Sequence, residues 1–263
     1  MSLRIEFLTQ DDPLYVLPFF EEFFQHYGSE FEITGVRCSR AMGQRGRKRL
    51  AKELLMLYRP AGFVRVVART IASRILSKLT RKKHAKRFYG FQQLCRAYGV
   101  DYSRIGDPNL PEVLEGLRER RPDVIVSVAC PYILKANLLS VAKLASVNIH
   151  HAPLPRYRGM MPTFWQLYHG EQQVGVTVHS MSDKIDGGVA ILRDQLSVEP
   201  GESLDRLISR SKRHGAHCMA KALRSLKDGT SLGDVIVPEE GSYFTFPTRE
   251  EIREFHRKGL VAI

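Results

Sequence analysis

The apolar residues of this 263-residue chain recur with two different spacings, and the changes from one to the other mark out its elements. Residues 3–8 (LRIEFL) and 31–36 are compact apolar runs of strand length, and 18–27 between them carries aromatic side chains at helical intervals. From 37 to 87 the pattern turns helical and basic. Val64, Val67, Ala68, Ile71, Ala72, Ile75, Leu76 and Leu79 recur every three or four residues, giving one apolar stripe between arginines and lysines. Short helices are expected at 92–98 and 110–120. Residues 124–128 (VIVSV) are uninterruptedly apolar, as a central parallel strand covered on both faces would be. A short helix over 137–144 leads to a strand over 145–149. After a loop rich in Pro, Arg and Gly come a helix at 162–169, paired strands at 174–181 and 189–198, and a long helix at 203–226 capped by Ser203. Residues 241–247 (GSYFTFP) read as extended and aromatic, and Thr248-Arg249-Glu250-Glu251 opens a last helix with a capping box.

Strand, helix, strand followed by a central apolar run predicts an α/β protein, with a mostly parallel twisted sheet carrying helices on both faces. The basic helical insert at 37–87 interrupts it and a short C-terminal appendage completes it. One domain over 1–228, with 229–263 packed on it, is the simplest division, since no repeat, low-complexity tract or linker breaks the pattern. No GxGxxG joins the first strand to the first helix, so a dinucleotide site is not supported.

Hydrophobic residues at 43% exclude a disordered chain. The start lacks a basic segment followed by a long apolar run, and no stretch gives eighteen uncharged apolar residues, so a soluble, cytoplasmic protein is expected. Cys38, Cys95, Cys130 and Cys218 are widely separated without zinc spacing, which suggests free thiols and no metal. Charge changes the picture more. The net charge is +12, and no acidic residue occurs between Glu53 and Asp101, where Arg81, Lys82 and Lys83 add to the arginines of the stripe. Such a segment is either a solvated basic face or a site for something anionic: nucleic acid, lipid headgroup or phosphorylated substrate. The apolar stripe itself would lie on an anionic membrane surface, on the protein's own sheet, or on a second subunit of a homodimer.

Candidate chemistry gathers between 128 and 192. Side chains alternate along a strand, so Asn148 and His150 share one face at a strand's carboxyl end. Residues 129–134 leave the end of the neighbouring strand, where open α/β sheets place ligands. Asp186-Gly187-Gly188 supplies a carboxylate at a turn. Each feature has a plainer reading: Asn148 as a strand-end cap, His150 as a core histidine, Asp186 as a turn former.

Asn148-Ile149-His150, residues 153–159 (PLPRYRG), 175–179 (GVTVH) and Asp186-Gly187-Gly188 together resemble the formyltransferases that use 10-formyltetrahydrofolate. That family includes glycinamide ribonucleotide, methionyl-tRNA and sugar N-formyltransferases. The likeness covers 120–200 well and the first strands loosely. It implies a Rossmann-like formyltransferase fold with its catalytic domain over 1–228, and transfer of a formyl group to a primary amine without a metal. It puts Asn148, His150 and Asp186 on the family's catalytic amide, imidazole and carboxylate: a donor for the oxyanion of a tetrahedral species, a second donor or proton acceptor, and a group that orients the imidazole or passes protons through water.

The same resemblance implies that Val128, Ala129, Cys130, Pro131, Tyr132, Ile133 and Leu134 grip the pteridine mainly through backbone groups, with Ser182, Asp183, Lys184, Ile185 and Gly187 opposite. It places Arg156, Tyr157, Arg158, Gly159 and Met160 near the acceptor, where an arginine fork suits phosphate. There are departures. His151 doubles the imidazole, the usual SLLP is here Ala152-Pro153-Leu154-Pro155, the first-strand glycines are absent, and the basic insert matches no element of the family. The acceptor implied is a small, phosphorylated amine, an amino sugar on a nucleotide or lipid carrier, with Tyr243, Phe244 and Phe246 available to stack on it. Methionyl-tRNA is the runner-up through the basic insert, although the residues after Lys227 are too few for that enzyme's C-terminal domain. A formyltetrahydrofolate hydrolase would use a similar triad with water, but the regulatory domain that usually precedes it is not seen. Outside enzymes, the alternative is a basic membrane-surface or nucleic-acid binding protein on an idle scaffold.

Overall fold

The computed structural model, which describes residues 2–41, 46–79, 87–182, 184–230 and 233–263, is built on one eight-stranded sheet. β1 (Arg4–Gln10), β2 (Glu32–Ser39), β3 (Tyr102–Arg104), β4 (Val124–Val128) and β5 (Ala145–His150) are parallel, in the order β3-β2-β1-β4-β5. β6 (Arg158–Gly159) leaves this sheet to pair with a strand near the C-terminus. Beyond β5 the main sheet turns antiparallel through β7 (Gln173–Ser180), β8 (Gly188–Ser197) and β9 (Asp234–Ile236). The partner of β6 is β10 (Tyr243–Phe244). The α-helices are α1 (Leu17–Tyr27), α2 (Arg47–Leu79), α3 (Phe91–Tyr98), α4 (Pro111–Arg120), α5 (Ala136–Leu139), α6 (Pro162–Tyr168), α7 (Leu204–Lys227) and α8 (Arg249–Arg257).

The two-residue period of the parallel strands decides which helix covers which face. Ile5, Phe7, Val124, Val126 and Val128 face α1 and α7, where Phe7 meets Phe19, Phe20 and Phe23 at ring-centroid distances of 6.5, 5.2 and 5.3 Å. Leu8 and Ile125 face the other way, onto Leu114 and Leu117 of α4 and Leu138 of α5. Every residue of β4 is buried, as its unbroken apolar run predicts. A further core joins α2, α6 and α8, with Phe164 stacked on Phe255 at 4.9 Å, and ties the C-terminal stretch to the body.

Three expectations are corrected. Residues 37–39 are the end of β2 and not the start of the insert. Arg37 is buried there and binds Glu6 at 2.6 Å, Asp101 at 2.7 Å and Ser103 at 2.8 Å. The helix expected over 137–144 is a single turn, because the amides of Lys143 and Leu144 donate to the Pro122 and Asp123 carbonyls and turn the chain into β5. Lastly, the apolar stripe of α2 does not pack on the sheet; Val64, Val67, Ile71, Ile75 and Leu79 are exposed. The opposite side of α2 is anchored instead. Arg69 pairs with Asp205 of α7 at 2.9 Å, and Asp205 also accepts from Tyr15, which lies 2.8 Å from Tyr58. At Arg59 (φ 57°, ψ 169°) the helix kinks ahead of Pro60, whose ring excludes the helical conformation from the residue before it. Arg81, Lys82 and Lys83 lie outside the described residues. Among those described, no helix is long and apolar enough to cross a membrane.

Glu6 has no exposure at all, so Arg37 balances a carboxylate that water cannot reach. Arg37→Met strands that charge and should cost about 3–5 kcal/mol in urea unfolding. A loss below 1 kcal/mol would show that Glu6 is compensated elsewhere.

Candidate active site

β4 and β5 are parallel neighbours and end at the same sheet edge. From β4 the chain departs through Ala129, whose φ of 54° turns it sharply outward, and from β5 through His150. β7 then returns antiparallel on the far side of β5, in a register that sets His179 directly across from Asn148. The turn joining β7 to β8 brings Asp186 back over the end of β5. That turn requires Gly188: at its φ of 101°, a Cβ would lie 2.1 Å from the Ser180 carbonyl oxygen. A cavity of about 660 Å³ opens among these ends.

Hydrogen bonds fix which atoms face the cavity. His179 Nδ1 lies 2.9 and 2.8 Å from the carbonyl oxygens of Ser180 and Gly187, so Nδ1 carries the proton and Nε2 is bare. Asn148 therefore donates one amide N–H to His179 Nε2 at 3.2 Å and retains the other. Burial pushes the His179 pKa down, which favours the neutral ring that this arrangement needs. By the same logic His150 donates from Nε2 to the Tyr157 carbonyl at 2.8 Å, which leaves Nδ1 facing Asp186 Oδ1 at 3.5 Å. The other Asp186 oxygen accepts the Gly159 amide at 2.8 Å. Gly159 is itself held between β6 and β10, where a Cβ would fall 2.2 Å from the Phe244 carbonyl.

The residues expected from the sequence divide on placement. Asn148, His150 and Asp186 line the cavity together, as do Ala129, Cys130, Pro131, Tyr132, Ile133, Leu134, Ser182, Lys184, Ile185, Gly159 and Met160. Val128 does not: its side chain is buried in the sheet and its carbonyl accepts from Thr9 at 2.7 Å. Gly187 contributes its carbonyl to His179 and does not line the space. The expected arginine fork is not formed. Arg156 turns away to Glu171 at 3.0 Å, Tyr157 is buried with its hydroxyl on the same carboxylate, and Arg158 sits over the Tyr243 ring. Tyr157 matters through its backbone carbonyl. Asp183 lies outside the described residues. Burial pushes the Cys130 thiol up to about 11, so it stays protonated at neutral pH.

Sequence reasoning left out Lys212, and it named His179 only within a motif. Lys212 lines the cavity on α7, one turn after Ile208, and the signal for it is a lysine at an inward helical position. Burial lowers it to about 8, against the opposing charge of Asp12. The second imidazole, His151, is also buried in the cavity wall. Its Nδ1 lies 2.9 Å from Ser211, its Nε2 has no partner among the described residues, and burial holds it neutral with its pKa well below the ordinary histidine value. Beyond the cavity, Asp194, His214 and Cys218 bring donor atoms within 4.8 Å of one another, with the Lys221 ammonium 3.8 Å from the same Asp194 oxygen supplying positive charge.

A family model described as formyl transferase matches residues 59–223. Methionyl-tRNA formyltransferase of Caldanaerobacter subterraneus subsp. tengcongensis is 31% identical over 142 residues, covering 54% of this chain and 46% of that protein. The protein of the same name from Geobacter metallireducens is 38% identical over 137 residues, covering 52% and 44%. The chain thus spans about half the length of the curated relatives it matches. Among solved structures, glycinamide ribonucleotide transformylase 1 from Symbiobacterium toebii superposes with a TM-score of 0.60 at 16% identity, covering 90% of this chain and 94% of that one. A sugar N-formyltransferase from a Shewanella species gives 0.57 at 14% identity, covering 96% and 87%. At these identities the likeness is one of fold.

Lys212 titrates near 8 in the folded chain and near the ordinary 10.5 when unfolded, so the unfolded chain binds more protons between those values. Stability should rise with pH through that window. Chemical denaturation should show the native protein gaining on Lys212→Met as pH climbs across it, and a constant difference would mean that Lys212 titrates as a free lysine.

Proposed function

Because the chain belongs to the formyl transferase family, we propose that it is an N-formyltransferase that moves the formyl group of 10-formyltetrahydrofolate to a primary amine. The observation that carries this reading is the convergence of Asn148, His150 and Asp186 on a single cavity. The other walls of that cavity, 129–134 and the turn around Lys184 and Ile185, supply apolar side chains and backbone suited to a flat heteroaromatic ring.

Bound there, 10-formyltetrahydrofolate would supply the formyl group, whose oxygen gathers negative charge as the amine attacks. Asn148 donates its remaining amide N–H to that oxygen while His179 prevents the side chain from rotating. His150 is held in one tautomer by the Tyr157 carbonyl and accepts the amine's proton at Nδ1. Asp186, itself fixed by the Gly159 amide, stabilises the imidazolium that results, which would return the proton to the folate nitrogen as the bond between that nitrogen and the formyl carbon breaks. His151 faces Ser211 and α7 and is a supporting residue in this scheme.

For the acceptor we infer an amino sugar on a nucleotide or lipid carrier. Tyr243 lines the cavity and is half exposed, offering a ring beside the Arg158 guanidinium for a sugar or base. The names of the curated relatives favour methionyl-tRNA as a second reading, with the basic α2 as its phosphate contact. A hydrolase would use the same residues on water.

Tetrahydrofolate release and product mass, measured against nucleotide-linked amino sugars, methionyl-tRNA and buffer alone, separate the three. A formylated sugar supports the first reading, formylated methionyl-tRNA the second, and release without an acceptor the hydrolase. Asn148→Ala, His150→Ala and Asp186→Ala should each lower kcat about 10²–10⁴-fold with folate affinity nearly unchanged, and His151→Ala by less than about tenfold. Full activity in both His150→Ala and Asp186→Ala would overturn the assigned roles.

A further inference from the structure

We propose that the outward face of α2 between Val64 and Leu79 is a docking surface for an anionic lipid membrane. Val64 (65% exposed), Val67 (39%), Ile71 (52%), Ile75 (51%) and Leu79 (72%) stand in one row with the exposed Ala68 and Ala72 between them. At helical spacing they fill an arc of roughly 140° along about 22 Å of axis. The helix is not free to roll and bury them. Its other side is held by the buried Val66, by the ion pair of Arg69 with Asp205, and by Gly62, where a Cβ would come 2.6 Å from Ile263.

Charge selects the occupant. Arg65 borders the apolar arc on one side and Arg74 on the other, with Lys78 at its C-terminal end; all three are exposed and have no ion-pair partner among the described residues. The sequence from 54 to 100 contains no acidic residue to answer them, and it adds Arg81, Lys82, Lys83, Lys86 and Arg87 directly after the helix. A second copy meeting this face about a two-fold axis would set these cations against themselves. A nucleic acid would meet the cations and leave the apolar row without a partner. An anionic bilayer satisfies both, since the apolar side chains enter about 5–10 Å to the acyl boundary while the flanking cations stay among the headgroups.

The docked helix would be fixed relative to the cavity, because α7 carries both Asp205, which anchors α2, and Lys212, which lines the cavity. A lipid-linked acceptor would then be met at its own membrane, although the docking surface stands without that reading.

Sedimentation of the full chain with vesicles tests the proposal. Vesicles of one-third phosphatidylglycerol in phosphatidylcholine should bind at least about tenfold more protein than phosphatidylcholine alone, and high salt should weaken the binding. Ile71→Glu with Ile75→Glu, and separately Arg65→Glu with Arg74→Glu, should each reduce binding by about tenfold or more without changing the melting temperature. Val67→Cys carrying an environment-sensitive dye should shift to the blue on the anionic vesicles only. Formyl transfer to a soluble nucleotide-linked amino sugar, assayed in parallel, should survive all of these changes, so that failure of the surface and failure of the catalytic reading remain distinct. Absent binding, or equal binding to neutral vesicles, overturns the proposal. So does a native dimer that Ile71→Glu with Ile75→Glu makes monomeric, or tRNA binding lost only with the arginine changes while vesicles bind nothing.

Discussion

The candidate site depends on the register of β5 between two neighbours of opposite sense. Parallel pairing with β4 brings the exit at 129–134 alongside Asn148 and His150. Antiparallel pairing with β7 sets His179 across from Asn148 and returns the chain so that Asp186 reaches His150. A slip of one residue on either side would turn the polar pair toward the core. The apolar alternation of β5 excludes that slip, because Val147 and Ile149 are buried in the core against α7.

Around this register His150, His179 and Asp186 are each steered by a backbone group, and Asn148 is held by His179 in turn. The Tyr157 carbonyl selects the His150 tautomer, two carbonyls select that of His179, and the Gly159 amide holds Asp186. Backbone partners lose little entropy on ordering, and the glycines at 159 and 188 exist to let those strands approach. The small β6–β10 pair thus acts on the site from a distance: it fixes Gly159, which fixes the carboxylate. The C-terminal stretch is joined to the cavity through that pair and through Tyr243.

α2 shows the opposite economy. It is tied to α7 by the Arg69–Asp205 pair and packs on α8 along one side, and presents apolar residues to solvent along the other. Exposed large apolar side chains are ordinary when single, and a row of five bordered by cations without an ion-pair partner among the described residues is not. Its basic character separates it from the rest of the surface, where many arginines are matched by carboxylates, as Arg210 is by Glu199 and Glu202.

Local periodicity made most of the fold legible, and the short motifs that resemble a known family picked out Asn148, His150 and Asp186, which line one cavity. The two-residue alternation at Asn148 and His150, the unbroken run of β4, the cap at Ser203 and the Asp-Gly-Gly turn are properties of a few adjacent residues, and adjacent residues are what a sequence displays. Tertiary structure decided the rest. It turned Arg156 to Glu171, placed the Tyr157 carbonyl and not its ring on the site, and brought Lys212 and His179 to the cavity from elements far away in the chain. It also left the α2 stripe in solvent, because the same periodicity describes a helix face whether or not anything covers it. Which surface meets which is set by burial summed over the whole core, and no short stretch of sequence contains that sum.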